Sequence, residues 1–88
     1  MNYRVFWFPD ADRILSSLIE GSEKREEFLA AAQEIDQHLT TDPCSFGESR
    51  YERSRIGFAR PLAVYFEILR DVSTVVVYNV WRTDRGRG

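Results

Sequence analysis

The sequence predicts a small α+β domain of order β-α-α-β-β-β, with a helical hairpin packed on one face of a mainly antiparallel four-stranded sheet. Three observations carry that expectation. Residues 2–8 read as a strand, because β-branched and aromatic side chains dominate them. Two stretches with helical apolar spacing follow, separated only by Gly21-Ser22, a connection short enough to force an antiparallel hairpin. From residue 50 onward, three apolar runs rich in β-branched and aromatic residues form a meander. Eighty-eight residues hold one modest core. Residues 1–88 therefore read as a single domain, with 82–88 as a frayed basic tail.

The first strand, Asn2–Phe8, is apolar on both sides, with Tyr3, Val5 and Trp7 on one and Phe6 and Phe8 on the other. Pro9-Asp10 opens the first helix, with Asp10 as its cap and Asp12 in the first turn, where the helix dipole favours negative charge. Ala11, Ile14, Leu15, Leu18 and Ile19 mark its buried stripe. Gly21 stops this helix, and Ser22 caps a second one from about Glu23 to Leu39, whose stripe is Phe28, Ala31, Ala32, Ile35 and Leu39. His38 lies off that stripe, as an exposed histidine compatible with the helix C-terminus. Thr41-Asp42-Pro43 ends the helix. Phe46 is expected to pack on the hairpin, and Gly47 to turn the chain. Meander strands then run about Arg50–Phe58, Leu62–Leu69 and Thr74–Trp81, with Ala59-Arg60-Pro61 as a tight connection between the first two.

Composition narrows the chemistry. The net charge of −2 conceals an asymmetry: residues 1–49 carry four basic and ten acidic side chains, residues 50–88 eight and four. All the basic residues except Lys24 are arginines, which suit planar, bidentate recognition of phosphate or carboxylate. One cysteine, Cys44, and one histidine, His38, cannot build a metal site of the usual nitrogen and sulfur type or an internal disulfide. No metal or cofactor is expected. Pro9 interrupts the N-terminal apolar run before signal-peptide or membrane length is reached, so a cytoplasmic location is expected.

The hairpin covers one side of the sheet, which leaves the other open as the expected working surface. Strand alternation, with Ile56, Phe58, Val64, Phe66 and Ile68 taken as core, turns Arg53, Arg55, Tyr65 and Glu67 outward. Val77, Asn79 and Trp81 follow them, Phe6 and Phe8 join from the first strand, and Arg82 lies within a side-chain swing. Arginines among aromatics fit a nucleic acid, where rings stack on bases and guanidinium groups meet phosphates. They fit a protein interface equally well. A solvated sheet face with scattered aromatics is the plainer alternative.

The stretches "AAAQEIDQHLTTDPCSFGES", "RIGFARPLAVYFEI" and "VVVYNVWR", in this element order, resemble the RelE/ParE superfamily of toxins from type II toxin–antitoxin systems, often labelled plasmid stabilisation proteins. The resemblance spans residues 2 to 82. It implies a toxin neutralised by a cognate antitoxin, acting either on mRNA at the ribosome (RelE-like) or on DNA gyrase (ParE-like).

The nuclease pattern carries over incompletely. Arg55 matches one of two alternate basic positions and Gly57 occupies the other, Ala63 stands where an arginine is wanted, and Thr83 falls at another with Arg82 beside it. No tyrosine or histidine follows Trp81, and the C-terminal helix of RelE has no counterpart. The resemblance thus implies a toxin that binds its target, through Arg53, Arg55, Tyr65, Asn79, Trp81, Arg82, Phe6 and Phe8. One alternative is an mRNA endonuclease using Arg55, Arg82, Tyr65 and Glu67. Another is a non-toxic binding module of the same fold.

Overall fold

The computed structural model describes residues 2–49 and 53–83. Strand β1 (Arg4–Trp7) leads into helix α1 (Pro9–Glu20) and helix α2 (Arg25–Thr41). A two-residue strand β2 (Glu48–Ser49), then β3 (Ser54–Ala59), β4 (Leu62–Leu69) and β5 (Thr74–Arg82) complete the sheet. Its order is β1-β5-β4-β3-β2; β1 pairs parallel to β5 and every other pair is antiparallel. The expected α+β architecture is therefore present, with five strands instead of four because β2 adds a short outer edge. The expected start of the first meander strand, at Arg50, lies outside the described residues.

Local chemistry explains where the helices begin and end. Pro9 takes the first helical position, where its missing N–H costs nothing, and Phe8 is the extended residue before it. Asp10 does not cap the helix as expected. It sits inside the first turn and pairs with Arg13 at 3.0 Å on the exposed side. The Gly21 N–H closes α1 by donating to the Ser17 carbonyl. Ser22 Oγ accepts from the Lys24 N–H at 2.9 Å, so Ser22 caps the turn that precedes α2, not the helix itself. The second helix then runs to Thr41, two residues beyond the expected end.

The core lies between the helices and one sheet face. Phe28, Ile35 and Leu39 of α2 meet Leu62, Val64 and Phe66 of β4 and Val75, Val77 and Val80 of β5, all at 0–1% exposure. Each such large side chain contributes roughly 1.5–3 kcal/mol on burial. Trp7, Val5 and Tyr3 pack against this cluster from β1. Gly47 has φ of 86°, and a Cβ there would strike the Ile56 carbonyl, so the expected turn glycine is required twice over.

The tail expectation changes at its start. Arg82 is the last residue of β5, and the Thr83 N–H donates to the Pro61 carbonyl at 2.8 Å, so both are tied to the sheet. The rest of the expected tail, residues 84–88, lies outside the described residues.

Candidate interaction face

The face of the sheet that the helices leave bare is apolar and aromatic, but strand β3 presents it differently from the expectation. Ile56 pairs with Tyr65 and Phe58 with Ala63, while Gly57 pairs with Val64 and Ala59 with Leu62. Directly opposed residues share a face. Val64 and Leu62 are core, so Gly57 and Ala59 face the helices, and Ile56 and Phe58 face outward, with Phe58 49% exposed. This reverses the expected assignment of both. The reason is a space requirement: a Cβ on Gly57 would come within 2.4 Å of the Phe46 ring. Phe46 fills that gap, stacked on Phe66 at 5.9 Å and on His38 at 4.7 Å. His38 is thus exposed as expected, yet one side of its ring lies against Phe46, and its Nε2 is 3.6 Å from Glu34.

The same register moves Arg55. It pairs with Phe66, a core residue, and so belongs to the helix side of the sheet, contrary to its expected place on the open face. Arg82 makes the same departure. It pairs with Leu62, and its guanidinium carbon lies 5.1 Å from the centroid of the Phe28 ring. Arg53 does reach the open face, where its Nε lies 3.1 Å from Glu67 Oε2.

Strand β5 carries the second surprise. Tyr65 pairs with Asn79 and Phe66 with Val77, which leaves Tyr78 as an extra residue, a β-bulge. Before the bulge Val75 and Val77 face the core; after it Val80 does, and Tyr78 and Asn79 both lie on the open side. Val77, expected outward, is therefore buried. The Asn79 carboxamide oxygen accepts from the Val80 N–H at 2.9 Å, which satisfies a donor where the ladder is interrupted.

Tyr78 is the centre of the open face, and nothing in the strand alternation singled it out. Its hydroxyl donates to Glu67 Oε1 at 2.9 Å, while Arg53 holds the other carboxylate oxygen. Its ring lies 5.4 Å from Phe8 and 6.4 Å from Tyr65. The hydrogen bond to Glu67, then burial and the Glu67 charge, push the Tyr78 hydroxyl above its ordinary pKa of 10.0. Phe6 and Phe8 are exposed as expected, at 52% and 42%. Asn79 and Trp81 also face outward, with Trp81 paired to Ala63. Ala63 lies between Phe58 and Trp81 on neighbouring strands and is fully buried although it belongs to the open face. A row of rings thus crosses the bare sheet from β1 to β3. The signal that could have found it was the small pair Gly57 and Ala59, which marks the crowded side of β3.

The four residues expected for an mRNA endonuclease do not converge. Tyr65 and Glu67 occupy the open face, whereas Arg55 and Arg82 occupy the other. Among the described residues, His, Cys, Asp and Glu nowhere gather in threes that could hold a metal ion, and no helix is long and apolar enough to cross a membrane.

No described protein family and no curated protein sequence matches the chain. Solved structures do. A chain of the toxin–antitoxin complex RelBE2 from Mycobacterium tuberculosis superposes with a TM-score of 0.76 at 21% identity, over 93% of this chain and 99% of that one. The isolated RelE toxin of E. coli gives 0.69 at 16% identity, over 97% and 88%. The archaeal RelE–RelB complex of Pyrococcus horikoshii gives 0.60 at 14%, over 98% and 100%. Two helices on one face of a mixed five-stranded sheet, matched over nearly the whole length, give this chain the fold of the RelE toxins.

Proposed function

We propose that this protein is the toxin of a type II toxin–antitoxin pair and that it acts by binding a protein target, in the manner of the ParE-like branch, whose members inhibit DNA gyrase. The RelE fold supports the toxin reading, and the toxin–antitoxin complexes among its structural neighbours support a cognate antitoxin as partner. One observation carries the mode of action. The open face offers a row of aromatic rings on which Arg53 is neutralised by Glu67 and only Arg4, on the edge strand β1, joins it from the described strands, while Arg55 and Arg82 belong to the opposite side. Nucleic-acid grips need unneutralised cations along a backbone track. Protein interfaces need desolvated aromatic anchors with a polar rim.

Induced expression in a bacterial host tests the reading. Growth arrest that a co-expressed neighbouring gene relieves, with loss of gyrase supercoiling activity and no new mRNA 5′ ends by primer extension, is the expected result. A chain harmless at high expression overturns the toxin assignment.

A second reading rests on the Arg53–Glu67–Tyr78 cluster. A carboxylate with a guanidinium 3.1 Å from one oxygen and a phenol 2.9 Å from the other supplies the groups an RNA-cleaving site would use for phosphate binding and proton transfer. New 5′ ends that vanish in Glu67→Gln would move the assignment to a nuclease.

A further inference from the structure

We infer that the helical hairpin carries a binding site for a free amphiphilic amine, a single ammonium group on an unbranched alkyl tail. The site is a cavity of about 300 Å³ between α1 and α2, with Trp7 of β1 at its base. That volume lies at the small end of the range for small-molecule sites. Leu15 and Ile19 line it from α1 and Leu29 from α2, and its only charged groups are Asp12 and Asp36. Neither carboxylate has an ion-pair partner among the described residues.

The hairpin gives the cavity a direction. In an antiparallel pair the first turn of one helix lies beside the later turns of the other. Asp12 and Asp36 therefore share one end of the cavity, and Ile19 and Leu29 share the other. A ligand meets two carboxylates at one end and aliphatic surface at the other. From Asp12 to Ile19 the helix rises about 10 Å, roughly the length of an extended eight-carbon chain.

Charge decides the sign of the head group. Residues 9–41 hold eight carboxylates against Arg13, Lys24 and Arg25, and Arg13 is already held by Asp10. This field attracts cations and turns away fatty acids, phosphates and nucleotides. A hard metal ion would need more oxygen ligands than two carboxylates in an apolar lining provide. An alkylammonium meets both halves of the site. Its three N–H donors reach the paired carboxylates, and its tail covers the aliphatic end, where Leu29 is 39% exposed. Trp7 faces the helices and Tyr78 the opposite side of the sheet, so the site is separate from the aromatic row.

The test is a titration of the purified chain with n-octylammonium, kept below the concentration at which it self-associates, beside n-butylammonium and octanoate. Octylammonium is expected to bind saturably by calorimetry and to move the Trp7 indole resonance while that of Trp81 stays in place. Butylammonium should bind about tenfold more weakly or worse, since each buried methylene is worth roughly two- to fourfold. Octanoate should not saturate. The double variant Asp12→Asn, Asp36→Asn should weaken octylammonium about fivefold, as for two exposed ion pairs. Leu29→Lys, which sets a second ammonium over the tail, should abolish binding, and Tyr78→Phe should leave it unchanged. Equal affinity for octylammonium and octanoate, or for octylammonium and butylammonium, would overturn the inference. So would unchanged affinity in the double variant, shifts at Trp81 instead of Trp7, or no saturable binding. Circular dichroism establishes that the variants are folded. Growth arrest is read in cells and amine binding on the isolated chain, so either proposal can fail without the other.

Discussion

The two faces of the sheet have similar hydrophobicity and opposite fates. The helix side is filled by aliphatic residues of β4 and β5, with Phe46 and Phe66 stacked above Gly57, and it is sealed. The open side is filled by larger aromatic residues, Phe6, Phe8, Phe58 and Tyr78, and all four are exposed. Apolar content therefore does not identify the core side of β3; its small residues do. Gly57 and Ala59 leave room for what packs above them, whereas Phe58, on the other side, is half exposed.

Substitution of one residue type on the two faces is the sharpest way to break that contrast. Phe66→Ala should cost about 3–5 kcal/mol of folding stability, because it empties a site sealed on every side. Phe58→Ala should cost less than about 1 kcal/mol, because half of that side chain is already in water. Urea unfolding of the two variants gives both values, and equal losses would mean that the open face is covered in solution. Next in size is Gly57→Val, which drives a side chain into the Phe46 ring and should destabilise by about 1–3 kcal/mol. A long basic side chain at that position would meet the same ring. Arg82→Ala should cost about 1 kcal/mol through its lost contact with Phe28 and should leave open-face binding unaltered.

The smallest expected effect is a titration. The hydrogen bond to Glu67 holds the Tyr78 proton more tightly in the folded chain than in the unfolded one. The stability tied to it is fully present below the ordinary tyrosine pKa of 10.0 and declines as pH rises beyond that value. Followed by phenolate absorbance, Tyr78 should ionise above pH 10, and Glu67→Gln should bring it back toward the ordinary range. An unmoved titration in that variant would show that Glu67 does not hold the hydroxyl.

Much of this fold is legible in the sequence, and the misses on the faces of the sheet share a cause. The helix stripes, the hairpin, the Gly47 turn and the exposure of Phe6 and Phe8 follow from local spacing and turn chemistry, which neighbouring residues determine. The faces of β3 and β5 do not. They depend on which distant side chain needs space and on where one residue bulges, and neither is a property of the strand's own alternation. Ile56, Phe58, Arg55 and Val77 leave their expected faces for that reason, and Tyr78 joins the open one; Arg82 departs because its side chain turns to Phe28 instead of swinging to the rings. Tyr65 keeps the expected face because β4 alternates regularly, Asn79 and Trp81 because their alternation is counted from Asn79 on the far side of the bulge, and Arg53 reaches the face through its own side chain.

The bulge at Tyr78 acts like an inserted letter in a reading frame. Every residue of β5 beyond it is displayed on the face opposite to the one an uninterrupted strand would give. Deleting one residue there would turn Arg82 toward the rings and bring Trp81 against the helices, with the composition almost unchanged. When chains of this fold are aligned at 14–21% identity, a gap omitted or misplaced at this point matches residues from opposite sides of the sheet. Their final-strand arginines can then share a column without sharing a site.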